Sequence, residues 1–205
     1  MPTTPNPVLT TARTALMLAC LMTGSNPGAL AQSSMPGMDT SAPSAAPGKV
    51  SQSGAISALT VLSGKTFDRA FLSLMIPHHQ AALEMARAVR PVSKDAAVKR
   101  WASSIIASQQ AEIGTMTALL RSRGGQDAKL AAIDGMQGMA ATVRRARDPD
   151  TAFVQGMLPH HSSAIDMANL ALRKSADPAV LKLAQNIVLA QAKEMYGFRI
   201  WLLKN

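Results

Sequence analysis

Cysteine, aromatic residues and histidine are all scarce in this chain, and each scarcity closes off a class of protein. The 1 cysteine is Cys20, close to the N-terminus. No intramolecular disulfide can form, and no cysteine-based zinc or iron–sulfur site can be built. The 205 residues include only 4 Phe, 2 Trp and 1 Tyr. With so few aromatic and β-branched runs there is little to build strands from, and no platform on which bases could stack. Acids are outnumbered, 12 against 21 Lys and Arg. The bases are scattered, Arg144-Arg145-Ala146-Arg147 being the one short run, so they read as solvated surface and no nucleic acid is expected as a partner. Alanine, leucine and 13 methionines supply most of the apolar content, a mixture that favours helices.

The N-terminal stretch has the pattern of a targeting segment. Arg13 is basic, no acid precedes Asp39, and Ala15 to Met22 is an apolar run of signal-peptide length. The run is too short to span a bilayer comfortably. Ala29-Leu30-Ala31 matches the small-x-small cleavage rule, so residues 1–31 are expected to be a signal peptide and the product to be periplasmic or secreted. The plain alternative is a buried helix. Lipoprotein processing at Cys20 fits poorly, because Met17-Leu18-Ala19 precedes it and the apolar run continues past it. Residues 32–55 are rich in Ser, Pro, Ala and Gly and read as a flexible linker.

Beyond the linker the chain repeats itself at an offset of 82 residues. Phe71, Met75, Pro77, His78, His79, Ala82, Met85 and Ala86 return as Phe153, Met157, Pro159, His160, His161, Ala164, Met167 and Ala168. Asp68, Ala102, Ile105, Gln109, Glu112 and Leu120 return as Asp150, Ala184, Ile187, Gln191, Glu194 and Leu202. Ungapped spacing of this kind points to duplication of one unit. Each unit reads as a helical hairpin. The first helix is expected from about Thr66 to Val89 and the second from about Ser93 to Gly124-Gly125. The third follows Asp148-Pro149 and ends near Lys174, and the fourth follows Asp177-Pro178. Residues 56–205 thus predict an all-α four-helix bundle, with repeats at about 66–123 and 148–205 and a connector at 124–147 that has room for a short helix.

All 4 histidines fall in two His-His pairs with one frame, Met-x-Pro-His-His-x-x-Ala-x-x-Met. At helical spacing Phe71, Met75, His78, Ala82 and Met85 lie within one face roughly 80° wide, and His79 lies at its margin. Pro77 and Pro159, just ahead of the histidines, either free a nearby carbonyl or begin a new helical segment. Gln109, Glu112 and Met116 share the core face of their helix with Ile105 and Leu119, and Glu194 repeats Glu112. A core carboxylate needs a partner, either an imidazolium, a base or a metal with its ligands. Glu84 and Asp166 also match between the repeats, and read equally well as exposed partners of basic residues. Methionine at helical spacing is ordinarily packing. Duplicated His-His pairs flanked by methionine on one face favour metal. Thioether with imidazole suits copper, Cu(I) above all, with Cu(II) open to the imidazoles. Zinc gains little from thioether, and the Glu-x-x-His motifs of di-iron bundles are absent. Met35 with Met38 and Met136 with Met139 form two further pairs among Gly and Pro, either mobile Cu(I) ligands or mere composition.

The pattern Phe67-Asp68-x-x-Phe71-x-x-x-Met75-Ile76-Pro77-His78-His79-x-x-Ala82-x-x-Met85, with Gln109-x-x-Glu112-Ile113-x-x-Met116, resembles the domain of unknown function 305 family. The resemblance covers about residues 56–204. It implies a ferritin-like four-helix bundle without di-iron ligands, in a family whose members include exported bacterial copper-binding proteins of the CopM type, linked to copper tolerance. Carried over, the implied metal ligands are Met75, His78, His79, Met85 and Met116 in the first half, and Met157, His160, His161 and Met167 in the second. Glu112, Glu194 and Met195 would be further ligands or outer partners of the ligating imidazoles. Phe198 stands where methionine would match Met116, and Met195 replaces Ile113, so the second site should differ from the first.

These readings converge on an exported protein that sequesters or shuttles copper, with copper ions and other periplasmic copper proteins as partners and no catalysis. Two rivals stand beside it. One is a metal-free structural or partner-binding bundle in which each His pairs with Glu112 or Glu194 as a buried latch. The other is a copper redox enzyme, which would need an open coordination position and a substrate pocket.

Overall fold

A computed structural model describes residues 49–133, 136 and 138–205, with side chains from residue 54 onward. The signal segment, its cleavage point, Cys20, Met35 and Met38 lie outside the described residues. Seven helices and no strand occur among those residues. They are α1 (Lys49–Thr60), α2 (Gly64–Val89), α3 (Ala96–Arg121), α4 (Ala128–Ala131), α5 (Met139–Arg145), α6 (Pro149–Lys174) and α7 (Pro178–Leu202).

Three of the four long helices start at aspartate N-caps. The carboxylates of Asp95, Asp148 and Asp177 each accept two backbone N–H groups of the following turn, and Pro149 and Pro178 occupy first-turn positions. The chain after α3 turns through Gly124 and Gly125 at φ 81° and 76°, a left-handed conformation that glycine adopts without strain. Arg123 reaches from that turn to pair with Asp177 at the start of α7.

Two expectations change. The linker does not run to residue 55, because α1 begins at Lys49. Ala55 and Leu59 are buried on one helical face with Ile56 packed beside them, so this stretch gains the apolar cover that its composition alone did not promise. The prolines do not begin new segments, since α2 and α6 each run unbroken for 26 residues. Pro77 lacks the N–H that would bond the Ser73 carbonyl. Gln126 Nε2 donates to that carbonyl at 3.3 Å, and the Asp127 N–H donates to Ser73 Oγ at 2.9 Å. The proline thereby pins the start of the connector to α2.

The hairpins α2–α3 and α6–α7 pack together through α2 against α6, while α1 and α4 cover one end of the bundle and α5 covers the other. The apolar core falls into two clusters. The first half of α2 shares one cluster with the second half of α6, so the two helices pass antiparallel. Ala82 to Val89 of α2 shares the other with Phe153, Val154 and Met157 of α6.

Candidate metal centre

Each long helix crosses from one cluster to the other through polar residues. On α2 these are His78 and His79, on α6 His160 and His161, on α3 Gln109 and Glu112, and on α7 Gln191 and Glu194. Eight polar side chains thus form one layer between the α1 end and the α5 end of the core. Burying them is costly unless each finds a partner or a ligand.

The histidines are buried to 2% exposure or less. His79 Nε2 lies 2.7 Å from Glu112 Oε2, and His161 Nε2 lies 2.7 Å from Glu194 Oε2. An ionised carboxylate only accepts, so both imidazoles donate from Nε2, and the Nδ1 atom of each has no hydrogen-bond partner. At the centre His160 Nε2 donates to the His78 carbonyl at 2.9 Å, which again leaves Nδ1 free. The rings of His78 and His160 are 3.9 Å apart at 48°. Burial pushes both well below the usual histidine pKa, and the neighbouring imidazoles add to the shift. They are neutral at physiological pH, the form that ligates metal.

Five imidazole nitrogens in this layer have no hydrogen-bond partner, namely both of His78 and Nδ1 of His79, His160 and His161. Gln109 and Gln191 are 2% exposed, and their amides are likewise unpartnered. Sequence reasoning did not count these glutamines among the site residues, although their repetition on the core face was visible, because glutamine at such a position reads equally as packing.

Two groupings drawn from the sequence are corrected. The histidines do not form two separate pairs, since ring centroids of 6.4, 3.9 and 5.9 Å link His79, His78, His160 and His161 in series. The methionines sort by end of the bundle and not by repeat. Met75, Met116 and Met167 lie in the cluster of the α1 end. Met85 and Met157 lie in that of the α5 end, with Phe198 in the place of a methionine. The reason is the antiparallel crossing of α2 and α6, which sets residues before one His pair beside residues after the other. All five of these methionines are fully buried, as are the eight-residue layer's imidazoles.

Met195 is half-buried on α7 and belongs to neither cluster. Met136 is 4% exposed, and Met139 is half-buried at the first position of α5 against the second cluster, so this pair is not a freely exposed one. Among the described residues no three His, Cys, Asp or Glu side chains come together as a metal-binding group. A metal held here would therefore draw on thioether sulfur as well as imidazole. The residues fit that requirement, since free imidazole nitrogens lie between methionine-bearing clusters.

A family model described as "Domain of unknown function (DUF305)" matches residues 11–146 and 150–205. Among solved structures, CopM in its Cu(I)-bound form is similar at a TM-score of 0.61 with 27% identity, over 67% of this chain and 96% of that one. CopM has also been solved in Cu(II)-bound, Ag-bound and apo forms. A putative secreted DUF305 protein from Streptomyces coelicolor shares the fold at a TM-score of 0.60, with 23% identity over 67% of this chain and 92% of that one. An uncharacterized protein of Acanthamoeba polyphaga mimivirus is 41% identical over 56 residues, 27% of this chain. The match spans 37% of the length of that curated relative.

Proposed function

This chain belongs to the DUF305 family, and from that premise we propose that it is an exported copper-binding protein that sequesters or shuttles the ion and catalyses no reaction. The observation that carries the proposal is the buried layer of imidazoles with unpartnered nitrogens, set between two methionine-bearing clusters. Imidazole with thioether is a donor set for Cu(I), and imidazole alone also serves Cu(II). Glu112 and Glu194 hold the rings of His79 and His161 in orientation, as carboxylates behind ligating histidines do. CopM, solved with both copper states, supports the same reading.

Export rests on the N-terminal pattern of Arg13, Ala15 to Met22 and Ala29-Leu30-Ala31. In such a compartment copper tolerance and delivery to other copper proteins are the roles this donor set would serve. No nucleophile set accompanies the histidines, and storage or transfer is the chemistry their burial suits.

The test is titration of residues 32–205 with Cu(I) against a competing chelator, beside Zn(II). Selective, tight Cu(I) binding is expected, and binding no tighter than zinc would sink the proposal. One observation favours the metal-free latch, the 2.7 Å contacts of His79 with Glu112 and His161 with Glu194. On that reading copper would leave thermal stability unchanged, whereas a ligand of the native state raises it.

A further inference from the structure

The two ends of the core are unequal in thioethers, with Met75, Met116 and Met167 at one and Met85 and Met157 at the other. The shortfall arises at Phe198, but a sixth methionine reaches that end from outside the repeats. A Cβ built on Gly156 of α6 would lie 3.5 Å from Met85 Sδ and 3.6 Å from Met139 Cε. Two thioether side chains, one from α2 and one from α5, therefore converge on the point of α6 that has no side chain, next to Met157. The repeat-equivalent position is Leu74, 1% exposed within the cluster of the α1 end.

The approach is directional. Met139 is half-buried while Met85 and Met157 are fully buried, so the thioethers step inward from the surface toward the histidine layer. The start of α5 is set by Gly138 at φ 89°, a left-handed position with no side-chain cap, which places Met139 at the first helical residue. Ala140 and Val143 anchor the rest of α5 in the core. Three unbranched thioethers adapt readily to a soft ion.

We infer that Met139, Met85 and Met157 form a soft-cation site over Gly156, through which Cu(I) or Ag(I) reaches the histidine layer from the α5 side. The inference rests on the copper reading above and adds a ligand from the connector to it. Met139 supplies, from the solvent side, the third thioether that Phe198 denies this end.

The experiment is a titration of the full chain, its methionines labelled with ¹³C at the methyl, with Ag(I) as a diamagnetic Cu(I) probe. The Met139 and Met85 methyl signals are expected to move in the same step. In Met139→Leu, which keeps the bulk and removes the sulfur, the Met85 shift in that step is lost, while Met136→Leu leaves it intact. If Met75, Met116 and the histidine ring signals move but Met139 stays still, this inference is overturned and the copper reading stands. An undiminished Met85 response in Met139→Leu overturns it in the same way. If no signal moves at all, both fall together.

Discussion

At the α1 end of the histidine layer the core meets the imidazoles with Met116, Met75 and Met167. At the α5 end Phe198 occupies the position of Met116, with its ring 5.6 Å from that of His161. Trp101 packs edge-on against Phe198 at 5.1 Å, where the other repeat has Leu183, and Phe153 adds a second edge contact at 6.3 Å. Both ends carry thioethers and aromatic rings, but beside the layer the α1 end has a third buried thioether from the repeats where the α5 end has a ring held by edge contacts. The difference teaches that duplication kept the imidazoles, the paired carboxylates and most apolar neighbours, while the positions of Met116 and Trp101 diverged to Phe198 and Leu183. Polar partners in a buried layer are hard to change singly, because losing one strands the other. Apolar neighbours of similar bulk exchange at low cost.

The largest effect should come from removing the histidines of one repeat. Because the rings of His78 and His160 lie 3.9 Å apart, the layer is expected to act as a unit. His78→Ala with His79→Ala should then abolish well over half of the copper capacity measured by titration. A loss of just half would mean that the two repeats bind independently.

Acidification should act next, on the metal-free protein. His78 and His160 are held neutral in the fold, so below about pH 6.5 the unfolded chain binds more protons than the folded one. Their contribution to stability is complete above that pH and is lost as the pH falls toward their lower folded values. Melting temperature should drop over this window, and less steeply in His160→Gln. A flat profile would show that His78 and His160 take up protons without cost.

The two ends can be exchanged. Met116→Phe should weaken Cu(I) binding by about tenfold, roughly 1.4 kcal/mol, and Phe198→Met should strengthen it by a similar factor. Competition with a Cu(I) chelator reads both. If neither variant moves the affinity, the softness of the α1 end is packing and not ligation.

The smallest effects separate the partner helices. A Cβ at Gly197 on α7 would meet the Trp101 ring at 3.0 Å, whereas one at Gly114 on α3 would meet nothing within 4 Å. Gly197→Ala should destabilise by about 1–3 kcal/mol through overpacking. Gly114→Ala should stabilise by about 0.5–1 kcal/mol through the entropy of the unfolded chain. Denaturant unfolding distinguishes the signs, and equal effects would show that the aromatic end yields as readily as the other.

Much of the fold could be read directly. Asp-Pro starts and the 82-residue repeat marked out the third and fourth helices, and by repetition the first and second. Helix α1 could not be read, since Ser, Gly and Ala dominate it and its helical state depends on seating Ala55 and Leu59 in the core. In the site, the pairing of core-face Glu112 and Glu194 with histidine was legible as one option, because a buried carboxylate admits few partners. The placement of Met139 beside Met85 was not, because it depends on how the connector folds back.

The sequence by itself determined the all-α class, the duplication, the donor types and the face of each helix that bears them. Those properties follow from local periodicity and capping, which act over a few residues. The tertiary structure alone decided that four histidines form one layer and that the methionines divide by end. Those outcomes depend on α2 and α6 crossing antiparallel, so that residues 82 positions apart meet at one point. No local pattern contains that crossing, because it is set by which apolar faces bury one another best.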